Sequence, residues 1–320
     1  MSNATLSRTG VIDTTTDGSW AQDNALFLKV FAGEVLTAFD ETNVMMAMHR
    51  IRQITSGKSA QFPVMWKADA HYHTPGTPIL GNSQIKHGEK TINIDDLLIA
   101  DAVIYTLDEL KNHYEVRAEY SKQLGAALAR TLDKNTLQVV LLAARAAANL
   151  TGAYGGTQIT NASAKTDGEV LAGLIFQAAQ VFDEHDIPAE DRHAILKPAQ
   201  YSLLAQTTKL LNKDWGGAGV YADGSIYRVA GIPLTKSNNL PSTNVAANTG
   251  ENNTYSGNFS TTAAAVFHAD AIGTVKLQDV VTEMTSGDFK IMYQATLLVA
   301  KMAVGHGILR PECAIEIITS

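Results

Sequence analysis

Four residues in this chain could do phosphate chemistry. Ser56-Gly57-Lys58-Ser59 has the form of the end of a phosphate-binding loop, whose backbone N–H groups cradle phosphate oxygens while the lysine reaches them. The complete loop needs another glycine five positions before Gly57, and Arg52 stands there. The flanking stretches read as extended, so no helix N-terminus follows to hold an anion. A second set is His71, His73 and His87. The first two would share one face of an extended segment, with His87 on the returning stretch. Without a nearby cysteine or paired carboxylates, they read as polar residues on a solvated tip and not as a metal set. A third set, Asp183-Glu184-His185-Asp186, has the residue types of acid–base catalysis but reads as the charged end of a helix. There is no Gly-x-Ser-x-Gly nucleophile turn, and no Gly-x-Gly-x-x-Gly follows a strand. These absences point away from an enzyme and from any bound cofactor. A nucleotide-binding enzyme built on the Ser56–Ser59 turn is the alternative reading, and it rests on that fragment alone.

The elements around these sets read as follows. Residues 1–24 are polar and Thr-rich, an arm. Residues 25–40 place Leu26, Val30, Phe31, Val35 and Phe39 at helical spacing, with Gly33 weakening the pattern. Stretches 44–67 and 85–105 are extended and flank a Pro-, Gly- and Asn-rich tip, which predicts one long two-stranded hairpin. Such a hairpin has little core of its own and is marginal alone in water. Residues 115–149 form the strongest helix, with Tyr120, Leu124, Leu128 and Leu132 stepping by four. At 1.5 Å per residue it spans about 50 Å. Residues 167–275 turn mixed: a helix from 169 to 185, an apolar run 194–196 before a helix opened by Pro198, loops 209–225 and 236–260, and strands 226–235 and 263–269. Residues 276–320 read as strands, among them 295–304 and 314–319. The class is α+β. Met45, Met46 and Met48 read as core filler, and Trp20, Trp66 and Trp215 are too scattered to stack bases.

Composition narrows the function further. The 320 residues carry a net charge of -7, so no basic excess exists to neutralise nucleic-acid phosphates, which argues against an internal nucleic-acid binder. Only 18% of residues are charged, below the roughly 25% usual in soluble domains. Interface cores disfavour charge, so an assembly protein fits. Cys313 is the only cysteine, which excludes an internal disulfide and a multi-cysteine zinc site and suits a reducing cytoplasm. No secretory signal is expected, and the longest apolar run, 139–144, is far too short to span a membrane. Charge is also unevenly placed. From Thr42 to Ala68 the only ionised side chains are Arg50, Arg52, Lys58 and Lys67. From Asp95 to Glu119 seven acids, among them Asp101, Asp108, Glu109, Glu115 and Glu119, face only Lys111 and Arg117. The candidate contacts between copies are therefore Arg50, Arg52, Lys58 and Lys67 against Asp108, Glu109, Glu115 and Glu119, pairs that set register more than affinity.

Six stretches, in order along the chain, carry a resemblance: LFLKVFAGEVLTAF from Leu26, SGKSAQFPV from Ser56, IKHGEKTINIDDLLIADAVIY from Ile85, NHYEVRAEYSKQLG from Asn112, IGTVKLQD from Ile272 and AKMAVGHGILRPE from Ala300. The chain resembles the major capsid proteins of T-seven-like (autographivirus) short-tailed bacteriophages. The resemblance implies the tailed-phage major capsid protein fold, with residues 1–43 as N-arm, 44–105 as E-loop hairpin, 106–166 as P-domain with its spine helix, 167–275 as A-domain and 276–320 as the C-terminal P-domain strands. It further implies self-assembly into hexamers and pentamers of an icosahedral head around dsDNA. A scaffolding protein would take part during assembly in the bacterial cytoplasm, a portal protein would sit at one vertex, and no membrane would be involved. In a cross-linking subgroup of this fold an E-loop lysine bonds to a P-domain asparagine of a neighbour. Residues 291–320 contain no asparagine. Mature particles boiled in detergent should therefore release a single monomer band, and a ladder of oligomers would show that another asparagine serves.

Overall fold

The computed structural model describes residues 25–68, 70–79, 81, 85–105, 116–207, 228–246, 255–285 and 288–320. The expected arm 1–24, the glycine-rich loop 209–225, part of the loop 236–260, and Asp108, Glu109 and Glu115 lie outside the described residues. The chain divides into two compact units, one of residues 1–43, 96–132 and 278–304, the other of 44–95, 133–277 and 305–320. The elements are α1 (Ala25–Thr42), β1 (Arg50–Gln53), β2 (Ser59–Met65), β3 (His87–Asn93), β4 (Leu98–Tyr105), α2 (Val116–Arg145), β5 (Thr157–Thr160), α3 (Gly168–Glu184), β6 (Arg192–Leu196), α4 (Pro198–Ala205), β7 (Arg228–Val229), β8 (Ile232–Lys236), β9 (Asn244–Val245), β10 (Gly257–Asn258), β11 (Thr262–His268), β12 (Ile272–Met284), α5 (Asp288–Tyr293), β13 (Ala295–Ile308) and β14 (Ala314–Ile318).

In the first unit, α1 buries Phe31, Val35 and Phe39, while α2 buries Leu124, Leu128 and Leu132. The two helices approach closely at Gly125, where a Cβ would lie 2.4 Å from the Val35 carbonyl oxygen, so no larger residue fits without moving backbone. Val30, read as part of the buried stripe, is exposed. Strand β4 pairs antiparallel with β13, from Leu98 opposite Met302 to Tyr105 opposite Ala295. Its residues alternate, leaving Ile99, Asp101, Val103 and Tyr105 exposed on one face.

The second unit is built on a six-stranded sheet of order β5-β14-β11-β6-β8-β7. Central β11 is buried along its whole length, and Ala263, Ala264 and Ala265 keep it narrow enough to be covered on both faces. Helix α3 lays Leu171, Ile175, Ala178 and Phe182 into this core. Asp167 caps it by accepting from the Glu169 N–H at 2.8 Å, which satisfies a donor that the helix start leaves unpaired. Pro198 opens α4 at its first turn, where its missing N–H costs nothing. The later half of α2 is buried nearly all round through Leu137, Val140, Leu141 and Ala144. It ends on Arg145, which grips a buried Glu316. The Arg145 Nε and Nη2 donate to its two oxygens at 2.7 and 2.6 Å, and Gln158 and the Thr262 hydroxyl complete the set at 2.8 and 2.5 Å.

The expected hairpin is narrower than 44–105. Only β2 and β3 pair with each other, Ser59 opposite Asn93 through Met65 opposite His87. Strand β1 instead pairs parallel with residues 273–276, and β4 pairs with β13. A long two-stranded ribbon is marginal alone in water, and these flanking segments instead find their backbone partners in strands that arrive over 170 residues later. Removing one partner of a buried, fully bonded charge pair costs about 3–5 kcal/mol. Glu316→Ala should lower the unfolding free energy in urea by that amount, and a change below about 1 kcal/mol would show that the cluster is not a structural tie.

Candidate assembly surfaces

The hairpin has almost no core. Ala60 and Ile92, at its root, pack with Val275 and Leu309. Beyond that root, Met65, Tyr72, Ile79 and Ile85 are exposed, Tyr72 completely. Polar contacts tie the hairpin to the rest of the second unit, from Arg50 on the strand before it and from Lys67 and Lys86 beyond the far end of its paired strands. Arg50 Nε donates to Asp270 at 2.6 Å, Lys67 pairs with Asp186, and Lys86 Nζ donates to the Thr151 carbonyl at 2.6 Å. Trp66 lies edge-on to Tyr154 with ring centroids 6.1 Å apart, and Tyr154 stacks on His185 at 4.1 Å and 10°.

The candidate cations thus divide. Arg50 and Lys67 already hold acids of their own chain. Arg52 donates from Nη1 to the Gln61 carbonyl at 2.5 Å, and its guanidinium lies 5.6 Å from the Phe62 ring centroid. Lys58 is exposed, and only its carbonyl is used, accepting from the Ile94 N–H at 2.9 Å. Among the described residues neither Arg52 nor Lys58 meets a carboxylate. Of the acidic candidates, Glu119 accepts from Gln123 one turn along its own helix at 2.9 Å. Asp186 and Asp270 were not anticipated as partners. No local pattern announces them, since they stand 119 and 220 residues from Lys67 and Arg50.

The motif fragments find bland places. Gly57 takes φ +114° in the turn between β1 and β2, and no helix follows it. His71, His73 and His87 are exposed. Among the described residues no group of three or more His, Cys, Asp or Glu side chains could hold a metal ion. Asp183 pairs with Arg192 at 2.7 Å at the end of α3. Cys313 is buried, and burial pushes its thiol up to about 12.

Beneath the hairpin root lies a polar chain whose protons can be placed from geometry. His49 Nδ1 sits 2.7 Å from the Met45 carbonyl oxygen, which only accepts, so Nδ1 carries the hydrogen. His49 Nε2 is then an acceptor, and the Thr274 hydroxyl at 2.6 Å donates to it. The Thr274 oxygen in turn accepts from His306 Nδ1 at 2.8 Å, which leaves His306 Nε2 buried and unpartnered. Burial lowers His49 to about 4 and His306 to about 3, so both stay neutral. Deeper in the second unit, Asp133 accepts from the Val44 and Met45 N–H groups, each at 3.1 Å, and fixes the segment that leads to the hairpin.

Set beside known proteins, residues 61–318 match the family described as Gp10A-like: Major capsid protein. The chain is 35% identical over 315 residues to the major capsid protein of Escherichia phage T7, covering 91% of this chain and 90% of that one. It is similar to the capsid structure of the cyanophage P-SCSP1u, with TM-score 0.80 and 44% identity over 100% of this chain and 99% of the other. It shares its fold with the bacteriophage PhiM1 mature capsid at TM-score 0.72 and 19% identity, 87% of each chain being covered.

The two histidines set a pH dependence. Each binds a proton less readily folded than unfolded, so unfolding takes up protons below the ordinary value of 6.5. Their contribution is complete above that pH and is lost as pH falls toward about 4 for His49 and about 3 for His306. Asp133, which burial holds above the usual carboxylate range, acts in the opposite sense. The melting temperature should drop from pH 7 to pH 4, and less steeply in His306→Gln, which takes up no proton. Thr274→Val should cost about 1–3 kcal/mol at pH 7 by leaving two ring nitrogens unpaired.

Proposed function

The chain belongs to the Gp10A-like major capsid protein family, and on that premise we propose how it builds a phage head. It is a structural, non-enzymatic shell subunit of the virion capsid. The observation that carries this is the family match across residues 61–318, joined to a fold that is similar along the whole chain to a cyanophage capsid subunit. Copies gather into hexamers and pentamers in the host cytoplasm around a scaffolding protein, with a portal protein at one vertex. The closed head holds dsDNA by proximity and not by sequence, a reading that the acidic charge balance supports.

Residues 1–43 serve as N-arm, the hairpin of residues 59–93 within the expected range 44–105 as E-loop, 106–166 and 276–320 as P-domain and 167–275 as A-domain. What supports the E-loop role is the ribbon of β2 and β3, with exposed Met65, Tyr72, Ile79 and Ile85 and a core only at its root. Apolar side chains on an arm that cannot cover them are suited to lie across a neighbour. Many modest contacts of this kind sum to a stable shell because each is made within an already tethered assembly. Deleting residues 69–84 should leave a chain with wild-type circular dichroism that sediments without forming shells. Closed shells from the deleted protein would remove the E-loop role.

A further inference from the structure

We propose that a cleft at the root of the hairpin receives the exposed β4 face of a second copy, with Asp101 of that copy set against Arg52. The inference rests on the reading that hairpins lie across neighbours, and it names the surface they meet.

The cleft has a volume of about 530 Å³ and lies within the second unit. Phe62, Val64, Met65 and Leu309 give it an apolar lining, and Arg50, Arg52 and Arg310 rim it. Two of these guanidiniums are neutralised within the chain, Arg50 by Asp270 at 2.6 Å and Arg310 by Glu312 at 2.8 Å. Arg52 is not. Its contacts with the Gln61 carbonyl and the Phe62 ring hold the guanidinium fork in place while its remaining donors stay available.

The opposite arrangement occurs on β4. Ile99, Val103 and Tyr105 are about half exposed on one sheet face, and Asp101 stands among them, also exposed. Asp101 lies opposite Val299. The nearest cation along the pairing, Lys301 opposite Ile99, is held by Glu283 at 2.5 Å. Asp101 therefore has no cation among the described residues. A carboxylate in an apolar patch resists burial unless a cation arrives with the covering surface, and an arginine fork meets that need with two parallel hydrogen bonds. The cleft offers one unmatched cation in an apolar setting and the strand face one unmatched acid in an apolar setting. Because both lie on the same sequence, copies of this chain suffice as partners. A cleft on one surface meeting a strand face on another is a head-to-tail contact, the kind that closes rings.

Arg52→Glu and Asp101→Arg should each cut the yield of shells about tenfold or more in full-length protein, while the double variant should return to within about threefold of wild type, as expected when like charges are juxtaposed and then exchanged. Circular dichroism and melting would verify that the single variants fold. As a second readout, Arg52→Cys chains co-assembled with Asp101→Cys chains and oxidised should give a disulfide-linked dimer on a non-reducing gel. Wild-type yields from both single reversals, a double variant no better than the worse single, or absence of the dimer band would overturn the pairing. Failure of the hairpin reading is separate: it would show as shells formed by the chain lacking residues 69–84, whatever the charge variants do.

Discussion

The second unit depends on one carboxylate that water cannot reach. Glu316 sits at 0% exposure in β14, so every lone pair has to be met by the protein. Arg145 comes from the end of α2, Gln158 from β5 and Thr262 from β11, and each donates to it. Four elements remote in sequence are thereby forced to one point. Strand register is fixed as well, because slipping β14 by one residue between β5 and β11 would turn the acid to the other face. The Arg145 guanidinium lies 5.0 Å from the Phe259 ring centroid and donates to the Asn258 carbonyl at 2.8 Å, which ties in the β10–β11 connection too.

The hairpin is organised on the opposite principle. Where the sheet around Glu316 is satisfied internally, the ribbon of β2 and β3 is left unsatisfied. Arg50 on the preceding strand and Lys67 and Lys86 beyond its far end fasten it, while its apolar side chains between and past these ties stay uncovered. A ribbon already held in this way loses less conformational freedom when another surface covers it, so weak contacts keep more of their gross energy.

How much of this the sequence discloses depends on the range of each interaction. Helix α2 is legible because its apolar residues repeat at helical spacing, and the starts of α3 and α4 because Asp167 and Pro198 act locally. The strands after residue 272 are legible from their β-branched and apolar runs. The hairpin is overextended in the sequence reading because local extension looks the same whether a strand finds its partner nearby or, as β4 does, nearly two hundred residues on. Partners such as Asp270 and Asp186 are invisible for the same reason. The histidine chain gives no signal either, since His49, Thr274 and His306 are ordinary residues until folding joins them. Family membership escaped this limit because six blocks in a fixed order carry information that no single periodicity does.

The burial of Cys313 has a practical consequence. Burial pushes its thiol up to about 12, which disfavours the thiolate that reacts, and the side chain is also closed off from solvent. The native chain should therefore give little background with maleimides or disulfide exchange. A dye, spin label or tether attached to one introduced cysteine would sit at a single address on every subunit, repeated across the head with the spacing of the lattice itself.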